Sequence, residues 1–245
     1  MKRFWDKAGV VGDATGYVIQ LDGRPMRLPG GPHLVLRSLA LANAIAAEWQ
    51  AAGIAKGGDF QAEDLPLTRI AGTAQDRVAP DPGSTIDALA RYGGTDLLCY
   101  RATGPDSLIA HQATNWQPWL NWVSQRYGAD LRVGYGIVAV RQPDAALSAL
   151  RHALGGHTHE TLAGLGVLVP AACSLVLGLA VAEGDLDAAE AHRLAMLDEL
   201  FQAEQWGEDR EATARRRAVE ADIAIAAQFI ALARRGQDAG CPPPD

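Results

Sequence analysis

Residues 161–182 read TLAGLGVLVPAACSLVLGLAVA, and the fold turns on whether this uncharged run of 22 residues crosses a membrane or fills a core. Its length would suffice for a bilayer whose hydrocarbon layer is about 30 Å thick. Its composition argues against that. Pro170 interrupts the run near its middle and Gly164, Gly166 and Gly178 loosen it. No tryptophan or tyrosine belt and no flanking Lys or Arg marks its ends. Two short buried helices meeting near Pro170 are expected, with the glycines as close-packing positions and no stable membrane insertion.

Helical patterns continue on both sides. Downstream, Asp185–Trp206 and Asp209–Arg235 read as helices separated by Gly207. In the last one Val219, Ile223, Ala226, Phe229, Ile230 and Ala233 form an apolar stripe broken by Asp222. Upstream, helices are predicted over Ser84–Tyr92, over Asp106–Tyr127 with a reset at Pro118, and over Asp144–Leu154. Extended runs at 96–101 (DLLCYR) and near 131–140 form either a minor strand pair or connections between helices.

The beginning of the chain follows a different period. Tyr17, Ile19 and Leu21 alternate onto one face, and Asp22-Gly23 signals a hairpin turn. Pro25 confines the second strand to an edge. After the break at Pro29-Gly30-Gly31-Pro32 a short strand is expected at Leu34–Leu36. Ser38 then caps a helix whose stripe is Leu39, Ala42, Ile45, Ala46 and Trp49, ending near Gly53. The expected fold is α+β: a small N-terminal sheet-plus-helix domain over residues 1–83 and a larger C-terminal orthogonal helical bundle over 84–235. A disordered tail with three consecutive prolines is expected over 236–245.

Composition narrows the function. With 22 basic against 29 acidic residues the net charge is −7, which argues against nonspecific binding to nucleic acid or an anionic membrane. Cys99, Cys173 and Cys241 show no metal-ligand spacing, and a reducing compartment is the simpler home. Cys99 and Cys173 read as buried and inert. No phosphate-binding glycine loop and no nucleophile elbow is present.

Two groups of residues stand out from a core pattern. One is LDELFQAEQWGED, Leu197–Asp209, where Asp198, Glu199, Gln202, Glu204, Glu208 and Asp209 accompany Trp206 on a helix end. Carboxylates around an indole suit a recognition surface, where the ring fills a pocket and the charges fix orientation. The other is HQATNWQPWLNW, His111–Trp122, in which Trp116, Trp119 and Trp122 share a helix face. An aromatic seam in the core is the plainer reading, and Gln112 with Trp116 keeps a binding role open. His157-Thr158-His159-Glu160 is the single cluster with metal-ligand residue types, but its histidines are not spaced i, i+4. A metal-dependent enzyme built on this cluster and the acidic helix end is the alternative function.

Taken in order, several segments resemble the assembly-chaperone family that binds the α subunit of the F-type ATP synthase head. They are KRFW at Lys2–Trp5, LDGRP at Leu21–Pro25, an LA-x-x-IA-x-EW-x pattern ending at Gln50, and LPLT at Leu65–Thr68. TDLLCYRA follows at Thr95–Ala102, then Gln112 with Trp116-Gln117-Pro118, SLVLGLA at Ser174–Ala180, and the helix end at Asp198–Asp209. Leu65 stands where the family pattern has Met, and Leu28 where it has Thr. The resemblance implies a chaperone without catalysis, cofactor or metal. It would hold free α subunit transiently in the bacterial cytoplasm, or in the mitochondrial matrix for eukaryotic relatives, and give way to β. The start at Met1 without a transit sequence points to a bacterial member. The expected partner-binding residues are Asp198, Glu199, Gln202, Glu204, Trp206, Glu208, Asp209, Trp116 and Gln112.

Overall fold

The computed structural model describes residues 1–28 and 31–235. The expected disordered tail, and Pro29 and Gly30 of the expected break, lie outside the described residues. In chain order the elements are strands β1 (Ala8–Asp13), β2 (Gly16–Leu21), β3 (Arg24–Pro25) and β4 (Val35–Leu36), then helices α1 (Leu39–Ala51), α2 (Pro66–Thr73) and α3 (Pro82–Ala90). Strand β5 (Tyr100–Arg101), helix α4 (Asp106–Tyr127), strand β6 (Gly134–Tyr135) and helices α5 (Asp144–Gly155) and α6 (His159–Ala172) follow. The chain closes with α7 (Leu175–Glu183), α8 (Ala188–Ala195), α9 (Leu197–Trp206) and α10 (Arg210–Arg234). This is an α+β fold with a small sheet region first and helices after it. Two compact units divide the chain: Met1–Asp81 with His159–Gly164 and the end of α10 from Gln228, and Pro82–Thr158 with Leu165–Ala227.

In the first unit β2 is the central strand. It pairs antiparallel with β1 from Ala8↔Leu21 to Asp13↔Gly16, and with β3 and β4 on its other side. Asp22 (φ 48°) and Gly23 (φ 77°) both take left-handed conformations, the requirement that makes Asp-Gly a hairpin signal. Strand β1 escapes the pattern reading because it lacks alternation: none of its residues is buried.

Ser38 caps α1 as expected, its hydroxyl accepting from Leu41 N at 3.3 Å while donating to Leu232 O at 2.6 Å. Leu39 does not join the buried stripe. At the first helical position it is 47% exposed, and Leu41 is buried with Ala42, Ile45 and Ala46. Trp5, Trp49 and Phe60 cluster at centroid distances of 5.0–6.0 Å. Beside them the Arg3 side chain donates to the carbonyls of Trp5, Asp6, Gln50, Ala52 and Ile54 at 2.8–3.2 Å. One guanidinium thereby satisfies carbonyls that the end of α1 leaves open.

The apolar run forms α6 and α7. Pro170 stays inside α6, and the chain reverses three residues later, where Cys173 takes φ 51° and the Ser174 hydroxyl caps Leu177 N at 3.1 Å. Helices of 14 and 9 residues reach only about 21 and 14 Å at ~1.5 Å per residue. Among the described residues no helix is long and apolar enough to cross a membrane. Cys173, expected to be buried, is exposed at this reversal, whereas Cys99 is buried and burial pushes its thiol up to about 12.

Gly178 is a close-packing position: a Cβ there would lie 2.5 Å from Val169 Cγ2. Gly166 is not, since it is exposed and nothing lies within 4 Å of its would-be Cβ. Gly178→Ala is expected to destabilise by about 1–3 kcal/mol through overpacking. Gly166→Ala should stabilise by up to ~1 kcal/mol through helix propensity. Urea melts of the two variants check the contrast.

Elsewhere in the second unit α4 runs unbroken through Pro118, with Leu108, Gln112, Trp116, Leu120 and Val123 buried. The helix expected over 185–206 is two helices, α8 and α9, parted at Met196. The DLLCYR segment is a short 3-10 turn at Leu97–Cys99 followed by β5, which pairs in parallel with β6 over two residues. Asp96, just before the turn, is completely buried. It accepts from Leu98 N at 3.1 Å, Ser174 Oγ at 2.8 Å and Val176 N at 3.0 Å. Desolvation outweighs those hydrogen bonds and pushes its carboxyl up to about 6.

Candidate partner-binding helix end

Helix α9 is anchored by Leu197, 2% exposed, and loses burial along its length. Asp198 and Glu199 are half-buried; Gln202, Glu204, Trp206, Glu208 and Asp209 are exposed. Trp206 is 79% exposed, a large apolar ring with no place in either core. Gly207, at φ 90°, ends the helix. Asp209 then caps α10, its Oδ2 accepting from Ala212 N at 2.8 Å.

The carboxylates divide by what they touch. Glu199 meets Arg215 at 3.0 Å and Arg216 at 4.0 Å. Glu208 accepts from the Thr213 hydroxyl and from Arg216 Nη2, which together hold its carboxyl below the usual range. Arg216 itself is 7% exposed, a buried cation on α10. The Glu204 carboxylate has no hydrogen bond or ion pair among the described residues. Glu208→Lys would bring a second cation to Arg216 and is expected to lower the melting temperature. Glu204→Lys should leave it unchanged, and a thermal scan of both variants checks the difference.

Trp116 is 0% exposed, as the core-seam reading has it, and Gln112 is 1% exposed, so neither of these two expected partner-binding side chains reaches the surface. Gln112 is bonded to the start of α9 and Trp116 to the end of α8. Gln112 Nε2 donates to Asp198 Oδ1 at 2.8 Å, and its Oε1 accepts from Ala102 N at 2.8 Å. Trp116 Nε1 donates to Leu194 O at 3.0 Å, at the end of α8. Arg101, 5% exposed, lies over the Trp116 ring at 5.3 Å and donates to Gln112 O at 2.6 Å, while its Nε and Nη2 have no hydrogen-bond partner. Burial lowers its pKa. Trp119 and Trp122 are half-buried, and only Trp116 belongs to the core of the expected seam.

The His157–Glu160 cluster does not converge. His157 Nε2 approaches Glu183 at 3.8 Å, whereas His159 Nε2 approaches Glu160 at 3.0 Å. Among the described residues no three His, Cys, Asp or Glu side chains gather as a metal-ligand set. Sequence reading missed Arg101 and Arg216. Arg216 does carry a signal: it precedes Val219 and Ile223 by three and seven residues, on the apolar stripe that Asp222 also interrupts.

These features define an α+β protein whose helical unit presents an indole and carboxylates from a firmly positioned helix end. Residues 2–124 match the ATP12 chaperone protein family. The structure is similar to the crystal structure of Atp12 from Paracoccus denitrificans, with TM-score 0.88 and 40% identity, covering 95% of this chain and 98% of that one. It is also similar to the Atu1473 protein from Agrobacterium tumefaciens, with TM-score 0.85 and 37% identity over 94% of this chain and 84% of that one. The mitochondrial atp12 protein of Schizosaccharomyces pombe is 24% identical over 217 residues, 84% of this chain and 74% of the relative. The chain belongs to the ATP12 chaperone protein family.

Proposed function

We propose that this protein captures the free α subunit of the ATP synthase head, covers the surface that the β subunit later occupies, and is displaced on assembly. An α subunit without β carries an apolar patch large enough to drive aggregation. A cover that must later leave needs a moderate interface with polar contacts around a few apolar anchors. The observation that carries this reading is Trp206, 79% exposed on a helix end beside the unpaired Glu204. In this reading Trp206, Glu204, Gln202 and Asp209 touch the partner, with Glu199 and Glu208 at the margin. Asp198, Gln112 and Trp116 position the helix. The work is done in the bacterial cytoplasm by binding alone, without catalysis, cofactor or metal.

The direct experiment expresses α subunit without β, with and without this protein. Soluble α subunit that co-purifies with the chaperone, and leaves it when β is added, is the expected result. Equal aggregation in both cultures would overturn the proposal.

A further inference from the structure

The first unit holds an open groove of about 640 Å³, floored by Met26, Leu28, Trp49 and Leu65 and lying far in sequence from α9. The indole of Trp49 donates to Thr68 Oγ1 at 3.0 Å, and that hydroxyl donates to Glu48 at 2.6 Å. The polar atoms that Trp49 and Thr68 bring to the lining are thus already engaged, and Met26, Leu28 and Leu65 beside them are apolar. The rim has the opposite character. Arg27, Arg69 and Arg77 line it against the single carboxylate of Asp76. All three arginines are exposed, and none has an ion-pair partner among the described residues. On a chain of net charge −7 this is a local concentration of unneutralised cations.

A floor that rewards apolar side chains and a rim that rewards carboxylates select an acidic, amphipathic ligand. The volume suits a few side chains rather than a whole domain face. Met1 and Met26, two of the three methionines, contribute flexible thioethers that adapt to varied apolar groups, as peptide-binding surfaces do. We propose that this groove docks a short segment of a partner protein in which an apolar residue is flanked by Asp or Glu. The apolar side chain packs on Trp49 and Leu65 while its carboxylates meet Arg69 and Arg77. No residue of α9 lines this groove, and the proposal stands or falls independently of that helix end.

The three methionines make the test local. The protein is labelled with 13C at its methionine methyl groups and titrated with a capped peptide of glutamates around a central Leu-Phe pair. The Met26 signal should shift saturably while that of Met196, between α8 and α9, stays still. Charge reversal in Arg69→Glu/Arg77→Glu should raise the Kd at least about tenfold, while Arg69→Lys/Arg77→Lys retains most of the binding. An unmoved Met26 signal, or binding untouched by the reversal, overturns the proposal. So does an equal response to the lysine-for-glutamate peptide or to dodecanoate, which would make the groove a general apolar or fatty-acid site. A Met26 shift on deleting residues 236–245 overturns it as well, since the occupant would then be the chain's own tail.

Discussion

Asp96→Ala is expected to remove about 3–5 kcal/mol of stability, because it strips three buried donors, Leu98 N, Val176 N and the Ser174 hydroxyl, of their acceptor. Against a typical total of ~5–15 kcal/mol, a loss of that size leaves the protein marginal or unfolded. Asp96→Asn is milder, about 1–3 kcal/mol, since the amide nitrogen must face at least one N–H that also donates. The pH dependence has a definite sign. A carboxyl at about 6 in the folded state, against an ordinary 3.8, binds its proton more tightly when folded than when unfolded. Its favourable contribution is therefore complete below about pH 4 and is lost as pH rises through 6, at most ~3 kcal/mol by linkage. Urea melts of the wild type and Asp96→Asn from pH 4.5 to 7.5 should show the gap between them narrowing as pH rises. A constant gap would mean that the buried carboxyl does not titrate in this range.

The second large effect falls on binding alone. Trp206→Ala is expected to weaken capture of the α subunit by at least ~2 kcal/mol, about 30-fold in Kd, as for a central aromatic anchor. Glu204→Lys should weaken it further and make the remaining binding less dependent on salt. Neither substitution should change stability by more than ~0.5 kcal/mol, since both side chains lie in solvent in the free protein. Pull-down titrations paired with melting curves separate the outcomes. Wild-type capture by both variants would move the binding surface away from α9.

The elements that were legible in the sequence are those whose signal is local. The Asp22-Gly23 turn, the Ser38 cap and both ends of α4 depend on a few neighbouring residues, and each appears where its chemistry puts it. The split of the apolar run into two short helices was likewise legible within one segment, from Pro170 near its middle. What could not be read depends on partners far along the chain. Gln112 carries a surface-like residue type, and its burial follows from Asp198, 86 residues away, and from Ala102 N. Trp116 and Trp206 are the same residue with opposite fates, one at 0% and the other at 79% exposure. Helical spacing places a tryptophan on a face; it does not say whether another helix covers that face. The break between α8 and α9 was missed because Met196 carries neither Gly nor Pro.

Arg3 ties the opening residues to carbonyls 47 to 51 positions downstream, at Gln50, Ala52 and Ile54. During synthesis this latch can hold only the neighbouring Trp5 and Asp6 carbonyls until those later residues have left the ribosome, so the Arg3 segment stays loosely fastened while the hairpin behind it emerges. A nascent chain whose Ile54 is still inside the ribosome should therefore leave the Arg3 segment open to protease, and emergence of Ile54 should close it.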